Sequence, residues 1–131
     1  MGERKLINPP ELFDPPGFSH VAVASGRRLV SVAGQTALAR DFTIIGGDDL
    51  AAQTRAAMEA VGVGLKAAGA TWTDVIRRTI YTLAPTQFEV IARAITDVAD
   101  ETEPPPQTII GVTGLALPGL LIEIEVTALV D

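Results

Sequence analysis

The 131-residue chain contains no cysteine and one histidine, His20. Disulfide staples, a thiol nucleophile and cysteine-based zinc ligation are excluded, and a lone histidine forms no histidine cluster around a metal. Neither a metal nor a cofactor is expected. Positive charge is also scarce. Ten Lys and Arg stand against 16 Asp and Glu, a formal net charge of −6. An acidic chain without a basic run repels phosphate backbones, so nucleic acid is not an expected partner. No apolar run approaches the ~18 residues of a membrane span. Residues 1–17 lack the apolar core of a signal peptide. The expected location is the cytoplasm, with no membrane partner.

What is present is ordinary for a globular protein, with 47% hydrophobic and 20% charged residues. The length predicts one domain over residues 1–131, able to bury about 68–70% of its unfolded surface. Four of the nine prolines fall in residues 1–18. Because proline fixes φ and removes a donor, this segment is expected to be an extended arm.

Two runs of alternating or β-branched residues follow, Val21 to Ala24 and Leu29 to Ala33, joined by Ser25-Gly26-Arg27-Arg28. They are expected to form a β-hairpin. A short strand is expected near Phe42 to Ile45. Asp48-Asp49 then stand where an N-cap and first-turn acids belong, and Leu50, Thr54, Ala57, Met58, Val61, Leu65 and Ala68 follow at helical spacing. The predicted helix covers 49–68, with Gly69 past its end. Gly62 and Gly64 inside it cost roughly 1 kcal/mol each relative to alanine, which implies a face pressed against a neighbour. They also spell part of a dinucleotide fingerprint, but late in a helix, where their amides cannot meet a pyrophosphate.

Val75 to Leu83 is predicted as a strand, with Arg77 and Arg78 on a solvated or interface face. Thr86 to Glu89 has the spacing of a capping box, opening a second helix that carries Phe88, Ile91, Ile95 and Val98 on one stripe and ends near Ala99. An acidic, proline-rich loop leads through Pro104-Pro105-Pro106 to two final strands. The triplet is either a rigid strand entry or a polyproline recognition segment. Each helix is long enough for a crossover, so the strands it links should run parallel. Two helices cover one face of the sheet, and the other face is expected to be apolar and covered by a second copy of the chain.

The last strand holds the most informative pair. From Leu121 to Leu129, Ile122, Ile124, Val126 and Ala128 share one face, and Glu123, Glu125 and Thr127 share the other. Two carboxylates at this spacing lie about 6.5–7 Å apart. They are either solvated or part of a site in which one orients or deprotonates water.

Taken together, Gly17-Phe18-Ser19-His20, Val32-Ala33-Gly34-Gln35, Asp49 to Arg55, Ala67 to Ala70, Asp74-Val75 and Ile122 to Val126 resemble the reactive-intermediate deaminase family. These RidA-like proteins are also labelled endoribonuclease L-PSP. The resemblance runs from Gly17 to Leu129. It implies a chorismate-mutase-like α/β (α+β) fold, a homotrimer with small-molecule clefts between subunits, and cofactor-free hydrolysis of enamines and imines. It further implies Glu123 as the catalytic, water-positioning glutamate. Phe18, Gly34, Pro106 and Gln107 would then lie at the substrate. Phe18 replaces a family tyrosine, Ala92 a frequent asparagine, and Pro106 the arginine that grips a substrate carboxylate. The alternative function is a non-catalytic trimeric module that binds a ligand or partner in the same clefts. The ribonuclease role in the older label finds no acid–base machinery or phosphate grip.

Overall fold

The last strand is the axis of the structure. The computed structural model describes residues 2–131. Its elements are β1 (Glu3–Ile7), β2 (Val21–Ser25), β3 (Arg28–Gln35), α1 (Leu50–Ala67), a short 3-10 turn (Trp72–Asp74), β4 (Val75–Thr82), α2 (Phe88–Thr96), β5 (Gln107–Gly111) and β6 (Ile122–Val130). One sheet has the order β3-β6-β4-β5, and β1 and β2 form a separate two-stranded ribbon. Strand β6 lies antiparallel to both β3 and β4, while β4 and β5 are parallel. Hence β3 and β4, linked by α1, run the same way with β6 between them. Helix α2 is the crossover between the paired parallel strands β4 and β5.

The alternation read in β6 is what builds the core. Ile122, Ile124, Val126, Ala128 and Val130 are buried, and the residues between them are half-buried. Onto this face α1 lays Ala57, Met58, Val61 and Leu65, and α2 adds Ile91 and Ile95. Asp49 caps α1, its side chain accepting from the Ala52 amide, and Gly69 follows the helix at φ +75°. Close approach explains the internal glycines. A Cβ on Gly64 would fall 2.9 Å from Val32 Cγ1 on the sheet, and one on Gly62 would fall 3.0 Å from the Trp72 ring.

Several expectations fail for local reasons. The 21–25 and 29–33 runs do not pair with each other. Strand β2 pairs with Glu3–Ile7 of the proline-free start of the arm, and β3 is taken by β6. The region of Phe42 to Ile45 holds one isolated bridge, Leu38 with Ile44, because Phe42 sits at φ +67° and breaks the extended run. Helix α2 starts at Phe88 with Gln87 as its N-cap and no side-chain capping bond, so the Thr86–Glu89 box does not form, and it ends at Thr96. Phe88 leaves the core stripe and is 42% exposed.

The largest correction concerns the uncovered face. It carries Arg77, Thr79 and Tyr81 of β4 opposite Thr127, Glu125 and Glu123 of β6, with Thr108 and Ile110 of β5 alongside. That surface is mainly polar. Leu29 and Ile110 are exposed apolar residues on it, at 69% and 40%.

Candidate functional site

Two β-bulges decide which side chains reach which face. In β3, Val32 pairs with Val126 and Gln35 with Ile124, so Ala33 and Gly34 together oppose Glu125. The extra residue turns Gly34 onto the uncovered face, beside Glu123. The glutamate lies directly over the glycine. A Cβ there would fall 2.7 Å from Glu123 Cδ and 2.8 Å from its Cγ. Gly34 thus supplies room for the carboxylate, and a larger residue would displace it.

The Glu123 carboxylate makes no hydrogen bond or ion pair with any described residue, while its neighbour Glu125 accepts from the Tyr81 hydroxyl. That hydrogen bond, foremost, raises the pKa of the phenol above its ordinary value; partial desolvation and the charges of Glu125 and Glu123 act in the same direction. The two glutamates are therefore unequal. Glu125 is engaged, and Glu123 is free beside a cavity of about 430 Å³. Gly34, Thr36, Leu38, Phe42 and Leu117 line that cavity with it. A carboxylate with apolar walls and no internal partner can accept a proton from water or meet a cation.

The second bulge lies at Ile76 in β4, between the pairs Val75–Ala128 and Arg77–Thr127. It puts Arg78 on the helix-covered face, 2% exposed. The expectation of a solvated or interface pair is corrected for this residue. Arg77 is exposed and donates to Thr108 Oγ1 at 2.7 Å, whereas Arg78 is paired with Glu101 at 2.7 Å and both side chains are buried. Its Nε also donates to Gln107 Oε1 at 2.6 Å. A buried guanidinium needs such partners, since an unpaired charge there is costly to desolvate. Neighbouring strand residues point to opposite faces. The adjacency of Arg77 and Arg78 was therefore the signal that one of them had to point inward.

The proline triplet proves to be a rigid strand entry whose carbonyls are all engaged. Glu103 O accepts from Arg4 Nη2, Pro104 O from Ser19 Oγ, Pro105 O from Ser19 N and Pro106 O from Arg78 N. Burial lowers the pKa of Arg4, opposed by the nearby charges of Glu103, Glu101 and Asp74. Pro106 is buried within this strap and lines neither the cavity beside Glu123 nor the one beside Phe18. The side chain that emerges into space is that of Gln107. It borders a second cavity of about 370 Å³ with Pro16, Phe18, Phe88, Ala92 and Ile109. His20 serves this wall structurally. Its Nε2 lies 2.7 Å from Phe13 O, and its ring packs edge-on against Phe13 and Phe18.

The candidate residues thus fall into two groups on one chain. Glu123 and Gly34 lie on the uncovered face. Gln107, whose register partner is Arg78, lies on the helix-covered face, beside Phe18. The sheet itself separates them. Phe88, Arg78 and Glu101 were not anticipated as parts of these surroundings. For Phe88 the apolar stripe gave the opposite signal, and for Glu101 there was none.

Fold and site together define an α+β protein with two helices on one sheet face and a free carboxylate on the other. The chain belongs to the endoribonuclease L-PSP family, whose model matches residues 14–130. It is similar to YyfB of Yersinia pestis, a protein of unknown function in the conserved Rid family. The two are 37% identical over 97% of this chain and 98% of that one, with a TM-score of 0.88. It also resembles Rv2704 of Mycobacterium tuberculosis, a member of the YjgF/YER057c/UK114 family, at 32% identity, 98% and 100% coverage and a TM-score of 0.66. TdcF of Escherichia coli, solved with bound serine, shares the fold at 24% identity, 79% and 81% coverage and a TM-score of 0.68. No curated protein sequence matches the chain significantly. No helix among the described residues is long and apolar enough to cross a membrane.

Proposed function

We propose that this Rid-family protein is a cofactor-free hydrolase of small enamines or imines, acting in clefts between the subunits of a homotrimer in the cytoplasm. The observation that carries the reading is the free Glu123 carboxylate, given space by Gly34 and facing a cavity with apolar walls. Glu123 accepts a proton from water as the water oxygen bonds to the carbon of the protonated imine, giving a neutral carbinolamine. The carboxyl then returns that proton to nitrogen. The carbinolamine hydroxyl gives its own proton to the freed Glu123 carboxylate as the C–N bond breaks, and a carbonyl compound and ammonia leave. The proton on Glu123 passes to solvent or to the ammonia. Since Glu123 and Gln107 sit on opposite faces of one sheet, a shared cleft requires the second half from a neighbouring subunit.

The test is ammonia release from a panel of enamines and imines, generated in situ by oxidation of amino acids and simple amines. Wild type should accelerate hydrolysis of at least one panel member, and Glu123→Gln should abolish this without loss of fold. No acceleration across the panel would refute the reading.

One observation favours a second reading, a non-catalytic trimeric module that binds a small ligand in the same clefts. The position expected to hold the family's carboxylate-gripping arginine is Pro106, and it is buried. Under this reading, Glu123→Gln changes ligand affinity and no panel member is turned over.

A further inference from the structure

The Arg78–Gln107 contact fixes more than a loop. Arginine can only donate hydrogen bonds, so the atom that Arg78 Nε meets at 2.6 Å is the carbonyl oxygen of the Gln107 amide. The amide cannot flip without setting donor against donor. Its NH2 is therefore the end left over, and it makes no hydrogen bond with any described residue. Glu101, at 2.7 Å from Arg78 Nη2, neutralises the guanidinium, so no net positive charge stands behind the amide. Around the cavity, Pro16, Phe18, Phe88, Ala92 and Ile109 offer no charge. The Thr108 hydroxyl oxygen already accepts from Arg77.

We infer that Arg78 is a positioning residue which presents the Gln107 NH2 as the fixed donor of the Phe18 cavity. The cavity thereby selects ligands with an apolar body and an uncharged acceptor, such as an amide, ester or ketone carbonyl. A carboxylate entering it would lose water without gaining a counter-charge, and an ammonium would meet amide hydrogens of the wrong sign. This inference rests on the reading of the cavity as half of the ligand cleft, and it names the chemistry of that half.

The test uses matched unreactive probes, 2-phenylacetamide and phenylacetate, with affinities measured by calorimetry on the full-length protein. Wild type should bind the amide about tenfold or more tightly than the acid, the scale set by stripping an unpaired charge of water. Gln107→Leu should weaken binding of the amide probe about tenfold or more, because its carbonyl loses the donor, while the acid remains excluded by its charge. Arg78→Met combined with Glu101→Leu replaces the buried pair by apolar residues of similar size, an exchange that folds tolerate. In that variant the fold should persist by circular dichroism while amide affinity falls, because the Gln107 amide is free to flip. A purely structural role for Arg78 would leave amide affinity unchanged in the folded double variant.

Equal affinity for the two probes, tighter binding of the acid, or binding of neither at millimolar concentration would overturn the inference. So would unchanged amide affinity in Gln107→Leu or in the folded double variant. The probes report no turnover, so their failure beside intact Glu123-dependent hydrolysis sinks this inference and spares the hydrolase reading. The amide preference without any hydrolysis does the reverse.

Discussion

The two faces of the central sheet handle charge in opposite ways. On the helix-covered face, Arg78 and Glu101 are both buried and satisfy each other, and their product is a neutral, rigid wall. On the uncovered face, the Glu123 carboxylate has no partner among the described residues and is given room instead. The first arrangement holds geometry, and the second leaves chemical potential available to a ligand or water. The distinction follows from two bulges of one residue each, at Ile76 and at Ala33–Gly34, which set what points where.

This contrast predicts effects of different kinds on the two faces. The largest is on the open face, where Glu123→Gln should lower imine hydrolysis by about 10²–10⁴-fold, the usual span of a general base. Urea unfolding should place its stability near that of wild type. On the covered face, Arg78→Ala should leave Glu101 buried without a partner and cost about 3–5 kcal/mol, measured by the same unfolding experiment. If the two substitutions changed the same property, the contrast would be broken.

A smaller effect is expected at Gly34. Gly34→Ala should push the carboxylate aside and reduce turnover roughly tenfold, since an ångström of misplacement is enough to matter. Steady-state kinetics would show the loss in kcat. The mildest prediction concerns Tyr81, the chain's one tyrosine, which gives an unambiguous tyrosinate absorbance. The Glu125 hydrogen bond holds its pKa above the ordinary value of 10.0. Because the folded pKa is the higher one, the stabilisation is complete below the unfolded value and is lost as pH rises through the folded value. Glu125→Gln should move the titration back towards the ordinary value, and no movement would show that the bond is not the cause.

Much of this was legible in the residues, and what escaped has a common cause. The alternation of Ile122 to Ala128 named the core face of β6, and Asp49 and Gly69 marked the ends of α1 to within a residue. The motifs from Gly17 to Val126 were enough for the family. Sequence periodicity assumes an unbroken register, however. The bulge at Ile76 lets Val75 and Arg78 face the core together, where strict alternation would separate them, and the bulge at Gly34 is visible only once Val32 and Gln35 are seen against their partners. Strand pairing is likewise non-local. Nothing in Val21 to Ala33 says that β2 prefers the arm and β3 prefers β6. Pro106 was singled out by a motif register that does not consider burial, whereas the strap of carbonyls from Glu103 to Pro106 turns Gln107 outward.

The central proposal is that Glu123 of one subunit and the Gln107 cavity of another make a single site. Subunit mixing tests it most directly. Glu123→Gln and Gln107→Trp, which fills the second cavity, should each be inactive alone. Refolded together in equal amounts, they should recover about a quarter of wild-type turnover, because random cyclic assembly joins intact halves at that frequency. Mixed oligomers with no recovered turnover would contradict the account.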